Sequence, residues 1–234
     1  MIRAVGVVIP AHDEEDLLPS CLAAVRQATR LLHQAAVHVI VVADACTDRT
    51  AERARQGGAV VLEIPARCVG TARQAGMRAV LRRTRHLDPG SVWLATTDAD
   101  TLVPPDWLAR QLSYATAGWD AVVGTVAVTD WAEHPLGLPP LFHQHYHTGP
   151  GAHPHVHGAN LGFTASAYLA VGGFRPAHTA EDQALVDSLA AAGRRIVRTA
   201  EVSVLTSARR QARAPRGFSH LLTSLATAAQ PGTA

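Results

Sequence analysis

The stretch SVWLATTDADTLVPPDW, residues 91–107, places two aspartates directly after an apolar run. The run at 91–95 predicts a buried strand, because short segments rich in β-branched and aromatic residues are typical of parallel sheets. Asp98 and Asp100 alternate beyond it, so an extended backbone turns both carboxylates to one side. Such a pair suits an Mg²⁺ or Mn²⁺ ion that bridges two phosphates. A plainer interpretation stays open, in which the segment is a polar turn that caps a helix starting near 104–106.

Similar apolar runs alternate with helical patterns from the start of the chain to about residue 128. This alternation predicts an α/β fold with a Rossmann-like, mostly parallel sheet flanked by helices. The predicted strands cover 4–9, 37–42, 59–64, 91–95, 121–128 and 196–205. The predicted helices cover 17–32, 47–56, 71–84, 166–171 and 181–192, with a short amphipathic helix following 208–215. A His-, Pro- and Gly-rich stretch over about 130–158 is predicted to be an irregular wall of the active site.

Composition excludes several classes of function. All 21 basic residues are arginine, so chemistry that needs a lysine amine, such as P-loop or Schiff-base catalysis, is excluded. A formal net charge of +2 over 234 residues gives no basic stripe, so nucleic acid is not an expected partner. The three cysteines, Cys21, Cys46 and Cys68, show no CxxC spacing, which predicts neither a disulfide framework nor a cysteine-based zinc site.

The length of the apolar runs bears on location. None reaches the roughly 18 residues of a spanning helix, and the opening MIRAVGVVIPAHDEE does not have the pattern of a signal peptide. We therefore expect a cytoplasmic protein without an integral membrane segment, with peripheral membrane contact left open. The oligomeric state is not predicted.

Acidic side chains follow three of the predicted strands. They are Asp13 and Glu14 after the first strand, Asp44 after the second, and the aspartate pair after the fourth. Ligands of open parallel sheets bind at the carboxyl ends of the strands, where these side chains should meet. So many carboxylates at one edge need a metal ion or hydrogen-bond donors of a ligand to balance them.

Six segments in this order resemble the GT-A glycosyltransferases of the family-two kind. They are VVIPAHDEE (7–15), VVADACTD (41–48), VGTARQAG (69–76), TTDADTLVPPDWL (96–108), HGANLGF (157–163) and AEDQALVDSLAAAGRRI (180–196). The resemblance covers most of the chain. It implies one GT-A domain over 1–234, with a nucleotide-sugar-binding half, 1–128, and an acceptor-binding half, 129–234.

The resemblance assigns the donor site. It implies that Asp44 accepts from N3–H of uracil and that Glu14, with the main chain at Pro10 and Ala11, holds base and ribose. Arg73 reaches the diphosphate or the base, although a solvated helix face is its plainer interpretation. Asp98 and Asp100 are expected to hold Mn²⁺ or Mg²⁺ on the diphosphate, and Asp98 is also expected to contact the donor. The donor is expected to be a UDP-sugar.

The same resemblance assigns the acceptor site. Asp182, at the start of a predicted helix, is the expected general base that deprotonates an acceptor hydroxyl in an inverting reaction, and Glu181 is the second candidate. His157, Gly158 and Asn160 are expected on the acceptor side. The acceptor itself is unknown and is either small or lipid-linked.

The sequence departs from the family pattern at several histidines. His12 stands where the family has asparagine or arginine, and the end of the last strand lacks a histidine that relatives often use as a metal ligand. His178 and His220 are the candidate substitutes. Six further histidines form two trios in which every second residue is histidine, and they belong either to a polar loop or to a zinc site. They are His143, His145, His147, His153, His155 and His157. The alternative functions are a metal-dependent nucleotidyltransferase and a His-rich metal-binding module.

Overall fold

The structure, a computed structural model, describes residues 1–128, 130–146 and 153–209, apart from the side chain of His145. In chain order, the strands of these residues are β1 (Ala4–Ala11), β2 (Ala36–Asp44), β3 (Val60–Ile64), β4 (Val92–Thr96), β5 (Thr101–Leu102), β6 (Ala121–Ala127), β7 (Leu161–Thr164) and β8 (Ile196–Thr206). The helices are α1 (Leu18–Thr29), α2 (Thr50–Gln56), α3 (Val69–Arg83), α4 (Trp107–Thr116), α5 (Leu138–His145), α6 (Ala165–Ala170) and α7 (Glu181–Ala191).

The strands form one mixed sheet in the order β3-β2-β1-β4-β7-β6-β8-β5. Strand β1 runs parallel to β2 and β4, β2 runs parallel to β3, and β6 runs parallel to β8. Strand β7 is antiparallel to both β4 and β6, and the short β5 is antiparallel to β8. The predicted α/β fold with a mostly parallel, helix-flanked sheet is confirmed.

Strand β1 lies at the centre and is buried along its whole length. Its side chains alternate between two apolar cores, one on each face of the sheet. Val5 and Val7 join the core that also contains Leu22 and Trp107, from α1 and α4. Val8 joins the opposite core, with side chains of α3, α6 and α7. This double coverage explains why the strand reads as a continuous apolar run.

Two glycines allow α3 to lie close to β1. A Cβ atom on Gly76 would come within 2.3 Å of a methyl carbon of Val8, and one on Gly6 would meet Val80 equally closely. The close approach places the first turns of α3, which carry Arg73, beside the carboxyl ends of the central strands.

The sequence did not predict α5, β5 or β7, and it predicted α4 only in the plainer interpretation of the aspartate segment. Strand β7 has only four residues, and α5 begins with prolines that look like loop signals but are accepted in a first helical turn. The prediction that 130–158 is irregular was therefore partly wrong, because α5 lies within this stretch. Helix α4 supplies the helix that the plainer interpretation of 98–106 required. His147, His220 and the predicted helix after 208–215 lie outside the described residues.

The described helices also bear on the membrane question. None is both long and apolar enough to cross a bilayer.

Candidate active site

A cavity of about 460 Å³ opens at the carboxyl ends of β1, β2 and β4. The structure brings together there almost every residue that the sequence singled out: Pro10, Ala11, Glu14, Asp44, Arg73, Asp98, Asp100, His157, Gly158, Glu181 and Asp182. The residues come from six separate segments of the chain, and the topology of the sheet accounts for their meeting.

Asp44, at the end of β2, is buried and holds the next loop. Its two carboxylate oxygens accept hydrogen bonds from the backbone amides of Arg67, at 2.6 Å, and Cys68, at 2.7 Å. These bonds fix the residues immediately before α3. The sequence did not reveal this second role of Asp44, because the two amides lie 23 and 24 residues further along the chain.

Arg73 is buried and lies between two carboxylates, where the sequence left a solvated face open. It donates from Nη2 to Oδ1 of Asp98 at 2.5 Å and from Nη1 to Glu181, and its Nε contacts the Thr96 hydroxyl at 3.3 Å. Burial lowers the pKa of the guanidinium, but the carboxylates of Asp98, Glu181 and Asp182 outweigh it and raise the pKa overall. Arg73 thus joins the aspartate pair after β4 to the start of α7.

A second arginine, which the sequence did not single out, lies at the aspartate pair. Arg209, just beyond β8, donates to both carboxylate oxygens of Glu14, at 2.8 and 2.5 Å, and its Nη2 forms an ion pair with Oδ2 of Asp100 at 2.9 Å. Its signal in the sequence was weak, because it belongs to one of several arginine clusters. The folded chain places Arg209 at the cavity.

Burial is the main cause that raises the pKa of Asp100 to about 6; the nearby Asp98 and Glu14 carboxylates contribute to the rise and Arg209 opposes it. Four carboxylates, those of Glu14, Asp98, Asp100 and Glu181, meet only the two guanidiniums of Arg73 and Arg209, and this excess of acidic groups favours a divalent cation. Two carboxylates with oxygens of a substrate diphosphate form a donor set typical of Mg²⁺ or Mn²⁺. Asp98 and Asp100 fit such an ion.

His178 is the candidate for a further protein ligand that lies among the described residues. His178 lines the cavity. Among the described residues, however, neither His178 nor Asp98 nor Asp100 belongs to a group of three metal-binding side chains with ligand atoms within 4.8 Å of one another. The prediction that His178 completes the site therefore stays a prediction.

Asp182 and Glu181 begin α7, directly after Ala180, whose φ of +58° is left-handed. Asp182 Oδ2 accepts from the backbone amide of Gly158 at 2.7 Å, and Oδ1 accepts from its neighbour Gln183 at 2.7 Å. Glu181 points instead into the protein, where its side chain is only 5% exposed and paired with Arg73. Of the two carboxylates, that of Asp182 is the more exposed.

His157, which the sequence predicts on the acceptor side, lies against an aromatic ring. His157 lies 5.6 Å, centroid to centroid, from Tyr146, which stacks on His155 at 4.0 Å. Burial lowers the pKa of His157 to about 4, although Asp182 raises it. Its imidazole is therefore neutral at physiological pH.

Asn160 does not line the cavity, contrary to the expectation that it lies on the acceptor side. Its amide nitrogen donates to the carbonyl oxygens of Thr125 and Val202, and its amide oxygen accepts from Nε1 of Trp107. The side chain is 1% exposed. It ties β6, β8 and α4 together, so its nearness to Gly158 in sequence does not bring it to the site.

The chain belongs to the glycosyl transferase family 2, whose family model matches residues 6–171. An undecaprenyl-phosphate 4-deoxy-4-formamido-L-arabinose transferase of Pseudomonas fluorescens is 33% identical over 125 residues, which are 53% of this chain. The chain spans only 36% of the length of that relative.

Solved structures show the same fold. The mannosyltransferase PcManGT of Pyrobaculum calidifontis, in complex with GDP-Man and Mn²⁺, aligns with a TM-score of 0.67 and 20% identity, over 97% of this chain and 70% of that one. Glucosyl-3-phosphoglycerate synthase of Mycobacterium tuberculosis, with Mn²⁺, UDP and glucosyl-3-phosphoglycerate, aligns with a TM-score of 0.55 and 18% identity, over 96% and 76%. Both support the GT-A fold assignment.

Proposed function

We propose that the protein transfers a sugar, with inversion, from a nucleotide-diphosphate sugar to an acceptor hydroxyl. The observation that carries this is the arrangement of one cavity, in which Asp98 and Asp100 lie beside Arg73 and Arg209, while Asp182 lies at the start of α7. Family membership favours glycosyl transfer over the nucleotidyltransferase and metal-module alternatives.

The donor lies with its diphosphate at Asp98 and Asp100. A divalent ion held there, Mn²⁺ or Mg²⁺, supplies positive charge to the diphosphate as it leaves. Asp44, Glu14, Pro10 and Ala11 form the part of the cavity assigned to base and ribose, and UDP is the preferred nucleotide. The solved relatives carry UDP in one case and a GDP-sugar in the other, each with Mn²⁺.

Asp182 acts on the acceptor. Its carboxylate takes the proton of the acceptor hydroxyl as that oxygen forms a bond to the anomeric carbon. The bond between the anomeric carbon and the diphosphate oxygen breaks, and its electron pair leaves with the diphosphate. The Gly158 amide fixes this carboxylate at the start of α7. A single displacement of this kind inverts the anomeric centre.

The nature of the acceptor determines whether this base is needed. The name of the Pseudomonas fluorescens relative points to a polyprenyl phosphate. A phosphate oxygen is already ionised at neutral pH, whereas a hydroxyl must lose a proton. The carboxylate of Asp182, which lines the cavity, supports a hydroxyl acceptor, carried either by a small molecule or by a lipid at the membrane surface.

Equilibrium binding and turnover test the proposal together. UDP- and GDP-sugars are titrated with and without Mn²⁺, and the best donor is assayed for hydrolysis and for transfer to hydroxyl and polyprenyl-phosphate acceptors. Mn²⁺-dependent binding and transfer to a hydroxyl are expected. Transfer to the phosphate alone, unaffected by Asp182→Asn, would contradict the assigned acceptor and base.

A further inference from the structure

A second group of metal-binding side chains lies beside the donor cavity. The loops that follow β1 and β2 bring His12, Asp13 and Cys46 together, with ligand atoms from all three within 4.8 Å of one another. In the part of the chain that the structure describes, this is the one place where three such groups meet. The proposed transfer reaction uses none of the three.

A backbone hydrogen bond orients the His12 ring for a metal ion. Its Nδ1 lies 2.7 Å from the carbonyl oxygen of Asp44. Since a carbonyl oxygen only accepts, Nδ1 carries a proton, and in the neutral ring Nε2 then has a lone pair. That lone pair is on the side of Asp13, whose Oδ2 lies 3.7 Å from Nε2. Metal-binding histidines characteristically donate their other N–H to a carbonyl or carboxylate in this way.

Asp13 is held in a similar manner. Its Oδ1 accepts from the backbone amide of Thr47 at 2.7 Å, and this bond is the main cause that lowers the pKa of the carboxyl group. The carboxylate is therefore ionised and fixed on the side away from His12. Its second oxygen, Oδ2, is the one that faces the imidazole.

Cys46 supplies the third group from the neighbouring loop. Its Sγ lies 3.4 Å from the carbonyl oxygen of Ala11, and burial raises the pKa of the thiol. Coordination to a metal ion would remove the thiol proton. A metal ion can reach Cys46 from solvent, because the residue is only partly buried and lines a small surface hollow with Ala45 and Glu63.

We propose that His12 Nε2, the Asp13 carboxylate and the Cys46 thiolate form a zinc site. One nitrogen, one sulfur and one oxygen donor suit this borderline-soft ion, with water as the fourth ligand. Magnesium and manganese favour oxygen donors. Zinc is therefore expected at His12, Asp13 and Cys46, and magnesium or manganese at Asp98 and Asp100. The spacing rule for cysteines failed to find the site because its ligands come from two different loops.

A zinc ion bound in this way would cross-link the loops that follow β1 and β2. An ion that binds the folded chain and not the unfolded one stabilises the fold in proportion to the logarithm of its concentration. Zinc is therefore expected to raise the melting temperature progressively, through an interaction that does not require any nucleotide.

Cobalt(II) is the probe, because a thiolate bound to Co²⁺ gives a ligand-to-metal charge-transfer band in the near ultraviolet. The full chain, reduced and without metal, is titrated with Co²⁺ and then with Zn²⁺. A saturating band that reaches one cobalt per chain and is displaced by zinc is expected. Oxygen ligands such as Asp98 and Asp100 give no such band, so the readout is independent of the proposed transfer reaction.

Single substitutions assign the ligands. Cys46→Ser is expected to abolish the band, and His12→Gln and Asp13→Asn to weaken cobalt binding at least tenfold. Cys68→Ser, the matched cysteine control, is expected to keep the band. Circular dichroism checks that each variant is folded. Absence of the band at saturating Co²⁺, its survival in folded Cys46→Ser, or its loss in folded Cys68→Ser would overturn the assignment.

Discussion

Arg209 and Asp100 form an ion pair, in which Nη2 of the guanidinium lies 2.9 Å from Oδ2 of the carboxylate. The same guanidinium holds both carboxylate oxygens of Glu14. A cation of the protein itself therefore lies at the position where we propose that Asp100 binds a divalent ion. The two cations compete for one carboxylate, and this competition can be measured.

Replacement of Arg209 by alanine is expected to tighten Mn²⁺ binding in the absence of nucleotide. The substitution removes the competing cation and leaves Glu14 and Asp100 uncompensated. Isothermal titration with Mn²⁺ measures the change. Arg49→Ala, which removes an exposed ion pair with Glu15, is the control and should bind Mn²⁺ as the wild type does. Equal or weaker binding by Arg209→Ala would show that Arg209 does not occupy the metal site.

Replacement of Arg73 by methionine should destabilise the fold by about 3–5 kcal/mol, because Glu181 would remain buried without its partner. Urea unfolding measures the loss. The double variant Arg73→Met/Glu181→Gln should recover part of it, since the unpaired charge is gone. Arg110→Ala, which breaks an exposed pair with Asp106, should have little effect. A loss no larger than that of this control would contradict the buried pair.

Asp182→Asn should lower turnover by roughly a hundredfold or more, because the amide cannot take a proton. Donor affinity should be retained, since Asp182 is assigned to the acceptor. Glu181→Gln is the matched comparison and should weaken the fold through its contact with Arg73. If Asp182→Asn turned over normally and Glu181→Gln were folded but inactive, the base would be Glu181.

The buried His157 predicts how stability depends on pH. Its pKa is about 4 in the folded chain, against an ordinary value of 6.5. As the pH falls below about 6.5, the unfolded chain binds a proton that the folded chain does not, so the wild type loses stability down to about pH 4. The other groups facing this ring are Asp182, His153 and His155.

The measurement compares His157→Gln with the wild type by urea unfolding between pH 7.5 and 4.5. The difference in stability should move steadily in favour of the variant as the pH falls. His86→Gln, at an exposed position, is the control and should show no such trend. A difference that does not change with pH would contradict a buried, neutral His157.

Several features of the fold and site were predictable because they depend on local patterns. Strands β1, β2 and β4 are continuous apolar runs, and the acidic residues that follow them meet because parallel strands end at one edge. Asp182 lies at the start of its helix as predicted, since the apolar spacing of α7 marks that boundary.

The remaining features depend on contacts distant in sequence. Arg209 bonds to Glu14 across 195 positions, and no local pattern selects it among the arginines. Asn160 belongs to a predicted site segment, yet its amide bonds to backbone groups of β6 and β8. Helix α5 was hidden by prolines that are acceptable only because they occupy its first turn.

The most direct test of the proposed function is binding of UDP, measured by calorimetry with Mn²⁺ and again after chelation, in the wild type and in Asp100→Ala. Two carboxylates beside a diphosphate repel it unless a cation lies between them. The wild type should bind UDP with micromolar affinity only in the presence of Mn²⁺, and Asp100→Ala should lose most of that dependence and all transfer. Equal affinity of the wild type in the chelator, or full transfer activity of Asp100→Ala, would contradict a metal-bridged diphosphate at Asp98 and Asp100.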